Sequence, residues 1–200
     1  AYAFGDTAIE NIMIPKSLDE CGMDSSFGYD LEDKHYSNLY GGPFVRCDNL
    51  KAVRFEAGTT QIAEWLFTGC TGLEEITIPD TVTVIEQYAF KDCLRLRTVN
   101  IGNSVTSIGN SAFNQCVSLP GIAIPDSVTD IGEYEFSGCA SMTEMELPDS
   151  VTNIGRNTFS NCSSLSKIKL PERIVNIVSH MFYNCTSLTT IVLPKTVEYI

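Results

Sequence analysis

Seven cysteines, Cys47, Cys70, Cys93, Cys116, Cys139, Cys162 and Cys185, each stand 23 residues from the next. An interval held that long is a repeat, and repeats of this length build an array of stacked coils, because one short unit cannot bury an apolar face alone. Other columns keep the same interval. The frame Phe113, Cys116, Leu119, Ile122, Ile124, Pro125, Val128, Ile131 and Gly132 recurs before and after itself along most of the chain.

The pattern inside one unit assigns its local structure. Val53 and Phe55, Ile76 and Ile78, Val99 and Ile101, Ile122 and Ile124, Met145 and Leu147, and Ile168 and Leu170 are apolar pairs two apart among polar residues. That is the period of a strand with one buried face. Pro79, Pro125, Pro148, Pro171 and Pro194 close it, since proline has no N–H to give a ladder. A second extended piece follows, as in Ser127-Val128-Thr129-Asp130-Ile131-Gly132, with β-branched residues and a turn glycine. The pairs Ala89-Phe90 and Ala112-Phe113, with Phe three residues before Cys, predict a short helical or 3-10 turn. Like strands stacked in parallel at about 4.8 Å carry about eight coils over roughly 40 Å. The expected fold class is an α/β repeat solenoid with a parallel β-sheet, short second strands and short helical or 3-10 turns. It forms a single domain over residues 1–200, with both ends in mid-repeat.

One segment breaks the period. Cys21 takes the column of Ile62, Ile85 and Ile108, yet Phe44 follows it by 23 residues where Phe67 follows Ile62 by five. The excess of 18 residues places an insertion at about 23–41, which holds Phe27, Tyr29, Tyr36 and Tyr40 among Asp30, Glu32, Asp33 and His35. Scaffold repetition does not explain it. Long excursions from a regular array often carry binding, while the cost of lengthening a loop is small enough for a tolerated insertion.

A formal charge of −12 at pH 7 opposes nucleic acid and anionic membrane surfaces, which need Lys and Arg against phosphate. No run of about 18 apolar residues exists for a membrane-spanning helix, and no signal peptide is visible. A chain that starts and stops in mid-repeat reads as a fragment of a longer protein, because solenoids normally end in capping units. Its uncapped strand edges predict end-to-end self-association.

Units of the form Leu-x-x-Ile-x-Ile-Pro-x-x-Val-x-x-Ile-Gly-x-x-Ala-Phe-x-x-Cys resemble the BspA-like branch of the leucine-rich repeats, over nearly the whole chain apart from the insertion. The resemblance implies a right-handed leucine-rich-repeat superhelix of a kind found mostly in surface or secreted proteins of host-associated microbes. Some members of that family are described as adhesins for host extracellular proteins. Glu135, Thr158 and Met181 depart from the family's Ala, and Val178 from its Gly. The motif residues are scaffold positions, so no active site comes with them.

The cysteine column reads as a reduced, buried ladder, because in-register side chains point the same way and do not reach the near-90° disulfide dihedral. The alternative is a disulfide involving the out-of-column Cys21. No CxxC or His-x-x-x-His spacing suggests a metal, and no cofactor is expected. Asp80, Asp126, Asp149 and Glu172 follow the prolines and read either as turn residues or as calcium-attracting oxygens. Trp65, Tyr88, Tyr134 and His180 form a partly exposed column.

Outward strand positions are where a solenoid meets ligands. Here they include Arg54, Thr77, Asn100, Glu146 and Lys169, with Glu144 expected beside Lys167, Glu146 beside Lys169 and Arg97 beside Glu74. The functional expectation is a non-catalytic, extracellular or cell-surface solenoid that binds a host matrix or serum protein. Its candidate contacts are Tyr29, Asp30, Glu32, Asp33, His35, Tyr36 and Tyr40 of the insertion and Arg54, Thr77, Asn100, Glu146 and Lys169 of the strands. The alternative is a structural spacer that presents another domain.

Overall fold

The computed structural model describes residues 3–18 and 42–200. Among them the strands are β1 (Asn11–Ile14), β2 (Ala52–Phe55), β3 (Gln61–Ile62), β4 (Glu75–Thr77), β5 (Val84–Ile85), β6 (Thr98–Asn100), β7 (Ser107–Ile108), β8 (Asp130–Ile131), β9 (Glu144–Glu146), β10 (Asn153–Ile154) and β11 (Lys167–Lys169). All pairing is parallel and in register with the repeat: Ile76 lies opposite Val99, and Ile168 opposite Met145. The second strands form one continuous sheet in the order β10-β8-β7-β5-β3. The first strands pair as β1-β2, β4-β6 and β11-β9.

The interior is a set of columns, one residue per coil. Phe67, Phe90, Phe113, Phe136 and Phe159 are fully buried. Their rings stack nearly parallel, with centroids 5.2 Å apart between Phe90 and Phe113 and 6.1 Å between Phe113 and Phe136. Each such ring contributes about 1.5–3 kcal/mol of burial. The Leu column, Leu50, Leu73, Leu96, Leu119, Met142 and Leu165, is equally closed to solvent.

The Ala-Phe segments are not helical, which corrects the α/β expectation: among the described residues no helix occurs. The reason lies in where the backbone donors go. Trp65, Phe67 and Gly69 donate to Gln87, Ala89 and Lys91 of the next coil, while Leu66, Thr68 and Cys70 donate three residues back to Ala63, Trp65 and Phe67. Alternate N–H groups thus leave the coil, and no i→i−4 ladder remains to build an α-helix. Two columns of left-handed residues enforce the alternation: Trp65, Tyr88, Ser111, Tyr134, Asn157 and His180 in one, and Arg46, Gly69, Asp92, Gln115, Gly138, Asn161 and Asn184 in the other.

A second correction concerns the strand expected at Ile122 and Ile124. No strand forms over 121–124, the first-strand position between those of β6 and β9, so the first-strand pairing is interrupted there. Pro120 lacks the N–H that its counterpart Arg97 gives to Glu74 O at 2.8 Å, and Gly121 has poor strand propensity.

Candidate binding surfaces

The repeat spends most of its polar chemistry on itself. Each cysteine thiol reaches the Phe carbonyl of the preceding coil, at 3.1 Å for Cys70 to Phe44, 3.2 Å for Cys93 to Phe67 and 3.0 Å for Cys185 to Phe159. All seven described cysteines are free and buried; Cys21 lies outside the described residues. Burial raises these thiols, with Cys162 pushed up to about 12, so they hold no nucleophilic thiolate at neutral pH.

Two members of the acidic column after the prolines cap backbone. Asp80 Oδ1 accepts the Asn103 N–H at 2.7 Å, and Asp149 Oδ1 accepts that of Glu172 at 3.1 Å. Turn capping therefore accounts for Asp80 and Asp149.

The outward first-strand residues fall in three separate ladders, Arg54 on β2, Thr77 and Asn100 across β4 and β6, and Glu146 and Lys169 across β9 and β11. Arg54, Thr77, Asn100, Glu146 and Lys169 are all exposed. Asn100 Nδ2 donates to Thr77 Oγ1 at 3.2 Å across β4 and β6. Glu146 pairs with Lys169 at 2.6 Å and Glu144 with Lys167 at 3.4 Å. Arg97 does neighbour Glu74, through a backbone bond. Exposed pairs of this kind add little stability, but they neutralise one end of the row. At the other end Arg54 has no ion-pair partner among the described residues. The candidates Tyr29, Asp30, Glu32, Asp33, His35, Tyr36 and Tyr40 lie outside the described residues.

Two features went unread in the sequence. The first is Glu135, fully buried in the Ala column. Its Oε2 accepts the Ala112 N–H at 2.9 Å, and its Oε1 has no hydrogen-bond partner. Burial drives this carboxyl well above the ordinary range, offset only in part by the backbone N–H groups of Ala112 and Phe113. Its place in a column of alanines was the available signal.

The second feature is a shallow groove of about 310 Å³ beside the second-strand sheet, running across four coils from Glu86 to Asn153. Gly109 and Gly132 form part of it, and a Cβ on either would collide with the backbone of the preceding coil. Trp65 and Tyr88 stack beside one end, with centroids 3.9 Å apart. The stacked glycines were legible in the sequence; the groove beside them needed the turn geometry.

These coils define a parallel solenoid with a closed apolar interior and polar outer faces. The family model for the BspA type leucine rich repeat region matches residues 37–136 and 107–200 in six copies. The chain belongs to this family. It is similar to a leucine rich repeat protein of T. pallidum, with 34% identity over 70% of this chain and 66% of that one and a TM-score of 0.68. A leucine-rich repeat protein from Bacteroides ovatus is 35% identical over 70% of this chain and 36% of that one, with a TM-score of 0.67. The chain thus spans just under two thirds of the first and about a third of the second. A leucine-rich repeat protein from Eubacterium ventriosum shares the fold at 20% identity over 98% of this chain and 58% of that one, with a TM-score of 0.62. No curated protein matches.

Proposed function

We propose that this chain is a non-catalytic, protein-binding solenoid displayed outside the cell, with a host matrix or serum protein as partner. The observation that carries the reading is the outward row on the first strands, where Arg54, Thr77 and Asn100 stand exposed and Thr77 and Asn100 are in register across β4 and β6. Arg54 has no ion-pair partner among the described residues, Arg is a side chain that interfaces favour as a polar anchor, and a net charge of −12 favours a basic or neutral partner. The insertion at about 23–41, between β1 and β2, supplies Tyr29, Tyr36 and Tyr40 as further contacts.

Surface plasmon resonance against immobilised matrix and serum proteins tests this. Saturable binding that weakens in Arg54→Ala and on removal of residues 23–41 is the expected result; a folded chain that binds none of the panel overturns it. The self-neutralised pairs Glu144–Lys167 and Glu146–Lys169 favour a second reading, a spacer that holds another domain away from the cell surface. A full-length gene with an appended ligand-binding or catalytic domain supports the spacer.

A further inference from the structure

We propose that the groove beside the second-strand sheet binds a neutral glycan chain laid along the solenoid axis. It is elongated: its lining comes from four successive coils, which spans roughly 14 Å at the strand spacing of a sheet. It is polar but not basic. Glu86, Gln87, Ser107, Asn110, Asp130 and Asn153 line it, and no Lys or Arg does. With two carboxylates and no cation it repels anionic polymers. Amide, hydroxyl and carboxylate groups side by side supply both donors and acceptors, the set that neighbouring sugar hydroxyls require.

Several of these groups are held in place before any ligand arrives. The Asp130 carboxylate accepts from Thr129 Oγ1 at 2.5 Å and Asn153 Nδ2 at 2.6 Å. Gln87 Nε2 donates to Glu64 Oε1 at 2.7 Å, and the same oxygen accepts the Trp65 indole N–H. Fixing side chains in advance lowers the ordering cost of binding. The apolar residues of the groove, Ile108 and Ile131, are buried beneath the polar rim, so it offers no pocket for the aromatic or aliphatic anchor of a protein partner. Tyr88 follows Gln87 in sequence and stacks on Trp65, whose indole N–H shares Glu64 Oε1 with Gln87, which puts this ring pair near that end of the groove although outside its lining. The electron-rich face of such a ring attracts the partly positive C–H face of a sugar. This groove belongs to the second strands and is separate from the Arg54 row, so the two proposals stand or fall independently.

The test is calorimetric titration of the chain with β-1,4-linked hexamers of glucose, xylose and N-acetylglucosamine, with a heparin hexasaccharide as the anionic control. Fluorescence of the single tryptophan, which Glu64 couples to Gln87, gives a second readout. Saturable binding of at least one neutral hexamer with a change in tryptophan emission is expected, and none for heparin. Ser107→Arg and Asn153→Arg put a bulky charged side chain into the groove from outward strand positions. Each should weaken binding at least about tenfold without shifting the melting temperature; should one fail to fold, the other carries the same test. Tyr88→Asn, which copies Asn157 at the equivalent turn position, should weaken it at least about threefold. Absence of binding by all three neutral hexamers at millimolar concentration, equal binding by the arginine variants, or heparin binding as tightly would each overturn the proposal.

Discussion

Cys116 Sγ lies 3.3 Å from the Phe90 carbonyl oxygen of the preceding coil. The same oxygen accepts the Cys93 N–H of its own coil at 3.2 Å. One buried acceptor therefore closes a turn and ties two coils together, and the arrangement repeats down the stack. A hydroxyl here would be shorter and an aliphatic group would leave the second lone pair unused, which explains the recurrence of a small apolar side chain with a weak donor. Cys116→Ala should cost about 1–2 kcal/mol, the sum of a small cavity and a lost hydrogen bond. Guanidinium unfolding of the two proteins measures it, and an unchanged midpoint would show that the thiol merely fills space.

Glu135 should lower stability at neutral pH, and Glu135→Met should restore it. Met181 already fills this column, buried at 1% exposure, with an unbranched side chain of similar length. The sign follows from proton binding. Below 4.5, the ordinary glutamate value, the carboxyl is protonated whether the chain is folded or not. Above it the unfolded chain ionises while the buried group stays neutral, so the folded state binds more protons and loses stability as pH rises toward its raised value. The methionine variant lacks this slope. Its advantage should be smallest at pH 4 and grow toward pH 7 as the unfolded chain ionises, by up to about 1.4 kcal/mol per pH unit. Denaturant midpoints at both pH values decide the matter: an advantage independent of pH would mean that packing, not ionisation, separates the two proteins.

Much of this architecture was legible because a residue that recurs every 23 positions has to occupy equivalent places in stacked coils. The strand and cysteine columns, and the pairing of Glu144 with Lys167 and Glu146 with Lys169, follow from that alone. Ala-Phe looks helical in isolation, whereas the Phe67 and Phe90 N–H groups donate to the Ala89 and Ala112 carbonyls of the next coil. The missing strand at 121–124 reflects a single coil whose Pro120 and Gly121 depart from their neighbours. The Arg54 row was found because outward positions alternate with buried ones; the groove escaped because its walls combine strand and turn residues from separate columns.

The left-handed turn columns make a backbone prediction that contacts do not confound. Gly69 has φ +69°, and a Cβ added there would meet nothing closer than Arg46 at 3.6 Å, an ordinary contact. Gly69→Ala should therefore destabilise through conformation alone, by about 1–2 kcal/mol. The reverse change at the equivalent site, Arg46→Gly, should gain up to about 1 kcal/mol, since Arg46 sits at φ 60° and its partner Asp6 is exposed at 4.0 Å. Thermal and denaturant unfolding of both variants tests this, and equal stability for the alanine variant would remove the assigned strain.

The interruption of the first-strand sheet yields the last prediction. Pro120 occupies the column of Arg97, Thr143 and Ser166; Thr143 donates to Pro120 O at 3.1 Å, and Ser166 to Thr143 O at 2.9 Å. Arg97 O is left without the corresponding donor because proline has no N–H. Pro120→Thr should supply it and extend pairing from β6 through 121–123 toward β9. One recovered ladder bond is worth about 0.5–1.5 kcal/mol, while the added chain entropy of the unfolded state offsets part of that gain. Amide exchange is the sharper measurement, since it reads the segment itself. The amides of 121–124 should exchange more slowly in the variant, with those of the distant second strands unchanged. Unaltered exchange at 121–124 would assign the break to Gly121 and the small side chain of Ala123 instead, and Gly121→Thr would then be the change that closes the sheet.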